Sequence, residues 1–136
     1  MNHKILVPTS GYLAAKERSD YIIQVAKKLG ADVHVLHIRD PKYIIATSKE
    51  SEAWEGLQIF QDKGKREGII VSSHYVTGDL VPTLISFAKD NDFDMILIGA
   101  SSGGLIAPWV LQELIGQCDV PVLVIPQDLT ALAEHL

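Results

Sequence analysis

One loop of this chain contains the small residues that proteins use to bind phosphate. The stretch "ILIGASSGGLIAPWVLQELI", residues 96–115, consists of an apolar run, a Gly/Ser-rich loop and an apolar helical pattern. Glycine and serine let backbone N–H groups approach an anion, and the N-terminus of the following helix adds partial positive charge. The same residue types also form tight turns that bind nothing. Because the loop contains no Lys, Arg or His, the sequence leaves both interpretations open.

Several well-defined site types need residues that this sequence lacks. A P-loop closes with Gly-Lys-Ser/Thr and a dinucleotide site has Gly-x-Gly-x-x-Gly after its first strand, and the chain contains neither. A phosphoacceptor receiver domain needs carboxylates where the first and third strands end, but these ends read "VPTS" and "YVTG". Ser101 and Ser102 lack the Gly-x-Ser-x-Gly turn of a nucleophilic serine. A hydrolase triad assembled from distant residues is left open.

The five histidines do not predict a metal site. His34 and His37 are three residues apart on a strand-like run, so they point to opposite faces and cannot share a metal. No cysteine or carboxylate stands at ligand spacing from His3, His74 or His135. We therefore expect structural or surface roles for all of them.

Strand-like and helix-like patterns alternate along the chain and position these groups. The runs "HKILVP", "DVHVLHI", "IIVSSHYVTG", "FDMILIG" and "VPVLVIP" are separated by amphipathic helical segments. This alternation predicts a parallel sheet with helices on both faces, a three-layer α/β sandwich. With the first strand central and the fourth beside it, the loops after these strands meet at one edge, where such folds bind ligands.

The candidate ligand crevice lies at this edge of the predicted sheet. It takes residues from the loop after the first strand, the end of the second strand, and the loop and helix start after the fourth. These residues are Pro8, Thr9, Ser10, Ile38, Gly99, Ser101, Ser102, Gly103, Gly104 and Trp109. The indole of Trp109 would either close off the crevice or pack in the interior.

Helix signals fix where several segments begin. Asp79 has the position of an N-cap, Pro108 that of a first helical residue, and Thr47 and Glu50 have capping-box spacing. The segment from about 43 to 67 therefore predicts a helix from near residue 48, after a mobile loop over 41–47. Its apolar stripe consists of Ala53, Leu57, Phe60 and Gly64.

Length and composition are those of one globular domain. The chain has 136 residues, 47% of them hydrophobic and 21% charged, and a net charge of −5, so we expect one domain over 1–136 with a short amphipathic tail over 127–136. No apolar run is long enough for a membrane span, and "MNHKILVP" does not have the pattern of a signal peptide. These features predict a cytoplasmic protein without a membrane or nucleic-acid partner. The lone Cys118 is expected to fill space.

Four segments, in the right order, resemble the universal stress protein family. They are "KILVPTSG", "AKKLGADVHVLHI", "VTGDLVPTLISFAKDNDFDMILIGA" and "VPVLVIP". The resemblance covers nearly the whole chain. It implies a five-stranded parallel sheet of order 3-2-1-4-5, an adenine nucleotide alpha hydrolase-like α/β fold, with the last strand at the edge.

Some members of this family bind ATP through Gly-x-x-Gly and, after a spacer, a Gly-Ser or Gly-Thr pair. Gly99 fits the opening glycine, and the second glycine falls at Ser102, or at Gly103 in a shifted register. The closing pair falls at Pro108 and Trp109, so both of its residues are lost. The loop is also shorter and lacks its usual basic residue.

The nucleoside side of the family's site is matched in part. Ser10 stands where ATP-binding members have the aspartate that contacts the nucleoside, and Ile38 fits the hydrophobic position against which adenine packs. The resemblance thus implies a non-catalytic regulatory domain that acts through protein contacts and is not a tight ATP binder. The alternative is a small-molecule sensor that binds ATP, AMP or another nucleotide, and weak ATPase activity is a third reading.

Members of the family commonly form homodimers by pairing their last strands. An apolar strand at a sheet edge associates with another chain unless it is covered. The residues that would form this dimer edge are Val122, Leu123, Val124 and Ile125. The tail over 127–136 would take part in the dimer or fold on its own subunit.

Overall fold

The computed structural model describes residues 3–9, 12–41, 50–99 and 108–125. Strands and helices alternate strictly along this part of the chain. In order they are β1 (His3–Pro8), α1 (Tyr12–Leu29), β2 (Ala31–Arg39), α2 (Glu50–Glu67), β3 (Val71–Thr77), α3 (Leu80–Asp90), β4 (Met95–Gly99), α4 (Pro108–Gln117) and β5 (Val122–Ile125). Thr47, most of the loop expected over 41–47 and the expected tail lie outside the described residues. Within them, every helix falls short of what a bilayer-spanning helix requires.

The strands form one parallel sheet of order β3-β2-β1-β4-β5, which confirms the order 3-2-1-4-5. β1 is central and aligns with β2 along its whole length. It aligns with β4 at Ile5 and Leu6. The strand order reverses between β1 and β4, and folds of this kind bind ligands at that point.

Apolar side chains alternate between the two faces of the sheet, and each face is covered by a pair of helices. On the face toward α1 and α2, the strands bury Ile5, Val7, Val33, Val35 and Leu97 against Ile22, Ile23 and Phe60. On the face toward α3 and α4, they bury Leu6, Leu36, Ile96 and Ile98 against Leu84, Ala88 and Leu114, and Cys118 packs on this cluster as expected. The result is the predicted three-layer α/β sandwich.

The apolar stripe of α2 is buried at every predicted position: Ala53, Leu57, Phe60 and Gly64. At the last of these the helix lies very close to the start of β3. A Cβ atom added to Gly64 would collide with the side chain of Val71 and lie 2.9 Å from the carbonyl oxygen of Ile69. Glycine is therefore needed here for the close approach of the helix to the next strand.

Helix α3 is capped from a neighbouring strand. Asp79 occupies the predicted N-cap position, but its side chain makes no capping hydrogen bond. Instead, the backbone N–H of Leu80 donates to Oδ2 of Asp40 at 2.8 Å. Asp40 is buried at the end of β2, so its carboxylate satisfies a donor at the helix N-terminus and ties α3 to the sheet.

Candidate functional site

The sheet order brings the ends of β1 and β4, where the crevice is predicted, to one carboxyl edge. β1 ends at Pro8 and β4 at Gly99, and these strands are neighbours. Ile38, next to the end of β2, is partly buried against the cluster on the α3/α4 face. The fold thus brings Pro8, Ile38 and Gly99 to one edge, while their role in binding stays a prediction.

Helix α4 begins at Pro108, as the sequence predicts. Trp109 therefore lies in its first turn, immediately after the candidate loop. Five other candidates lie outside the described residues, so their contribution stays a prediction: Ser10, Ser101, Ser102, Gly103 and Gly104. Proline at the first helical position supplies no N–H, which removes one donor that an anion at this helix end would otherwise meet.

Thr9 is the candidate residue whose surroundings are described most fully. Its backbone N–H donates to the carbonyl oxygen of Leu36 at 2.9 Å, which extends the β1–β2 ladder past the end of β1. Its side chain is buried, and Oγ1 has no hydrogen-bond partner in the described part of the chain. A buried hydroxyl without a partner lowers stability, so it is a feature that needs an explanation.

A row of ring side chains continues from Thr9 across the sheet. His37 on β2 lies opposite Tyr75 on β3, and the two rings are nearly parallel with centroids 5.2 Å apart. Trp54 of α2 stacks on the other side, 5.3 Å from Tyr75, and its side chain stays 49% exposed. Trp54, Tyr75 and His37 thus form one row of rings, and the sequence did not indicate His37 as part of any site.

The imidazole of His37 is neutral near pH 7. Burial lowers its pKa, and a backbone hydrogen bond involving Thr9 acts in the opposite direction. Its Nδ1 atom is buried without a hydrogen-bond partner among the described residues. Neutral imidazole offers one donor and one acceptor nitrogen.

Two other histidines form a pair on the opposite face of the sheet. Nδ1 of His34 lies 2.9 Å from Nε2 of His74, with ring centroids 5.2 Å apart and planes at 10°. The distance between the ring centroids equals the N···N distance plus the distance from each nitrogen to the centre of its own ring. The two nitrogens therefore lie on the line between the centroids, and the rings meet edge to edge in nearly one plane. The arrangement is a straight N–H···N hydrogen bond, and it leaves neither of these two nitrogens directed toward a shared metal.

The spacing of His34 and His37 determines which face of the sheet each of them occupies. His34 contacts Phe93 on the α3/α4 face, whereas His37 contacts Tyr75 on the α1/α2 face, which confirms that they point to opposite faces. Among the described residues, no three His, Cys, Asp or Glu side chains are grouped to hold a metal ion. The pairing of His34 with His74 was not predicted.

The His34–His74 pair is expected to make stability pH-dependent. Burial lowers the pKa of both; Lys4 lowers both further, His74 also lowers that of His34, and Asp32 raises that of His34. Phe87 and Phe93 contact the rings without adding charge.

Since the folded-state pKa values lie below the unfolded value of about 6.5, the unfolded chain binds more protons in between. Stability is therefore full above about pH 6.5 and falls as the pH drops toward the folded-state values.

Melting temperatures measured between pH 7.5 and 5 test this expectation. We expect the wild type to lose more stability on acidification than the variant H34Q/H74Q, in which glutamine keeps hydrogen-bonding capacity without titrating. Other titrating groups, His37 included, remain in both proteins and cancel in the comparison. Equal slopes of melting temperature against pH in the two proteins would contradict the expectation.

A model of the universal stress protein family matches residues 1–126. The chain belongs to this family. Two curated relatives agree with the assignment. A universal stress protein of Helicobacter pylori is 33% identical over 79 residues, 56% of each chain, so the match spans little more than half of that relative. Universal stress protein MJ0531 of Methanocaldococcus jannaschii is 21% identical over 90% of this chain and 81% of its own.

Several solved structures share this fold at lower sequence identity. Hypothetical protein MJ0577 superposes with a TM-score of 0.75 at 22% identity, over 94% of this chain and 98% of its own. The universal stress protein of Archaeoglobus fulgidus in complex with dAMP has a TM-score of 0.65 at 20% identity, over 92% and 98%. A family member from Arabidopsis thaliana with AMP bound has a TM-score of 0.66 at 15% identity, over 93% and 92%.

Proposed function

We propose that this universal stress protein is a non-catalytic regulatory domain that works as a homodimer and does not bind ATP tightly. We further propose that its crevice between β1 and β4 binds an adenine nucleoside monophosphate. The observation that carries the proposed ligand preference is the start of α4 at Pro108. ATP-binding members of the family close their phosphate-binding motif at this position with a glycine.

The start of α4 argues against a triphosphate ligand. Proline has no N–H to donate to a phosphate oxygen, and Trp109 replaces the small hydroxyl residue of the motif by a bulky apolar one. A triphosphate carries more charge than a monophosphate and needs more donors to compensate its lost hydration. The remaining backbone N–H groups of this helix end suit a single phosphate better.

The ends of β1 and β2 support binding of the nucleoside. Pro8, Thr9 and Ile38 lie where the strand order reverses, and Ile38 presents the apolar side chain on which a purine base packs. Two proteins of the same fold hold dAMP and AMP in their solved structures. A site that keeps part of the nucleoside half and lacks the closing pair of the polyphosphate half therefore favours a monophosphate.

The exposure of β5 supports the homodimer. This strand is at the edge of the sheet, and the side chains of Leu123 and Val124 are 46% and 40% exposed. Val122 packs partly on the core of its own subunit. The side chain of Ile125 is not among those that the structure describes. An apolar edge strand of this kind pairs readily with a second copy, and further protein partners would then meet the dimer.

Titration calorimetry with AMP, ADP and ATP tests the proposed ligand. We expect AMP to bind at least as tightly as ATP, because the added phosphates find no further donors, and we expect no ATP hydrolysis above the buffer rate. An ATP dissociation constant about tenfold or more below that of AMP, a difference of about 1.4 kcal/mol, would contradict the proposal. So would the failure of both nucleotides to bind.

A further inference from the structure

The outer edge of the sheet at β3 lacks the usual protection against a further strand. β3 (Val71–Thr77) contains no proline, lysine, arginine, aspartate or glutamate, the residues that commonly prevent pairing at a sheet edge. It aligns with β2 over its whole length without a bulge, and no other described strand pairs with it. β3 has seven residues and β5 has four, so the edge at β3 is the longer of the two.

Every second residue of β3 directs its backbone groups away from the sheet. The carbonyl oxygen of Ile70 accepts from the N–H of Val33, and the N–H of Gly78 donates to the carbonyl oxygen of Arg39. Because a parallel ladder uses alternate residues, the even-numbered residues between Ile70 and Gly78 also face β2. The backbone N–H and C=O groups that point outward are therefore those of the odd-numbered residues, Val71, Ser73, Tyr75 and Thr77.

Helix α2 places an aromatic ring beside this edge. Trp54 and Gln61 lie two turns apart on one side of the helix, and Nε2 of Gln61 donates to Oγ of Ser73 at 2.8 Å. The other side of α2 faces α1, with which Lys63 forms an ion pair. The indole of Trp54 stacks on the ring of Tyr75 and stays half-exposed, so an open aromatic surface borders the edge of β3.

The part of α2 that carries Trp54 is acidic. Between residues 50 and 62 the helix has no lysine, arginine or histidine, and its four carboxylates are all exposed: Glu50, Glu52, Glu55 and Asp62. Glu50 precedes Trp54 by one turn on the same face. The carboxylates attract a cation to this surface, and the face of an indole binds a cation directly.

We propose that an extended, arginine-containing segment of a partner protein binds along β3 as an added strand and places a guanidinium group against Trp54. The backbone of the segment bonds to the outward N–H and C=O groups of β3. A guanidinium group is planar, so it stacks on the indole and pairs with a carboxylate such as that of Glu50. This inference rests on the proposed regulatory function, because a domain that acts through protein contacts needs a surface for its partner. It is independent of nucleotide binding and of pairing through β5.

Fluorescence anisotropy with a labelled peptide of the same length as β3, in which arginine and valine alternate, tests the proposal. We expect the wild type to bind this peptide with a dissociation constant of about 100 μM or below. Trp54→Gln should weaken binding about fivefold, as for a lost cation–π contact, and Glu50→Gln about threefold. Two matched controls should bind like the wild type: Tyr21→Gln, which removes another exposed aromatic ring, and Glu113→Gln, which removes an exposed carboxylate on α4.

Two further measurements separate strand addition from attraction between charges. A peptide of the same sequence with N-methylated amides cannot donate backbone hydrogen bonds, so its affinity should be at least about tenfold lower. Hydrogen exchange should be fast at the outward amides of β3 in the free protein and slower when the first peptide is bound.

Several results would overturn the inference. Equal peptide affinities of Trp54→Gln and Tyr21→Gln would exclude the contact with the indole, and Glu50→Gln still tests the site if Trp54→Gln fails to fold. Equal affinities of the two peptides, or no binding to the wild type at about 1 mM, would exclude strand addition. Protected outward amides in the free protein would show that a second copy or segment 126–136 already covers β3. Nucleotide titration and sedimentation of the dimer do not depend on these outcomes, so a failure here is distinguishable from a failure of the proposed function.

Discussion

Replacing Gly64 by alanine is expected to destabilise the protein by about 2 kcal/mol, in the range of substitutions that overpack a core. The new methyl group would collide with the side chain of Val71 and press on the carbonyl oxygen of Ile69. The backbone oxygen cannot rotate away, so α2 or the start of β3 must move. For a domain of this size the loss corresponds to a fall of roughly 5–10 °C in melting temperature.

Two further variants make this prediction specific. Gly116→Ala also adds a methyl group inside a helix, but no described atom lies within 4 Å of it, so this variant should be as stable as the wild type or more so. The double variant G64A/V71A should lose less stability than the sum of its single variants, because the collision partner is shortened. Strict additivity, or a fully stable G64A, would refute the packing argument.

Replacing Leu123 by glutamate is expected to convert the proposed dimer to monomers. Paired β5 strands would bring the two new carboxylates close to the symmetry axis, where like charges out of water cost several kcal/mol. The dissociation constant should rise by at least about 100-fold. Leu123 is the better site than Val122, since Val122 also packs on its own core and its loss would disturb the fold.

Sedimentation velocity over a range of concentrations measures this effect. The matched control is Ile70→Glu, which places the same charge on a side chain that is 62% exposed beside β3, at the opposite edge of the sheet. It should leave the dimer intact. A wild type that is already monomeric at about 100 μM, far above a micromolar dissociation constant, would refute pairing through β5.

Much of the fold could be predicted because it depends on local patterns. The buried stripe of α2 follows from apolar residues at helical spacing, and the start of α4 follows from the restricted backbone of Pro108. The order of the strands came from the resemblance to a family, and the sheet has that order. The first two of these features each depend on a short continuous stretch of the chain.

The features that the sequence did not predict depend on how strands align sideways. The backbone N–H of Leu80 at the start of α3 bonds to Asp40, and His34 bonds to His74; the members of each pair are 40 residues apart in the sequence. The row from Thr9 through His37 to Tyr75 likewise requires the register of three strands. A shift of one residue would send these side chains to opposite faces, and no local pattern fixes that register.

The short alignment of β4 with β1 has a consequence for how the molecule opens. β2 runs beside β1 along its whole length, whereas β4 is aligned with β1 at Ile5 and Leu6 in the described part of the chain. Deuterium should therefore enter the amides of β4 and β5 before those of β1 and β2, as a cooperative unit of lower local stability. A nucleotide in the crevice would contact both β1 and β4. Its binding would therefore stabilise their pairing and slow that exchange.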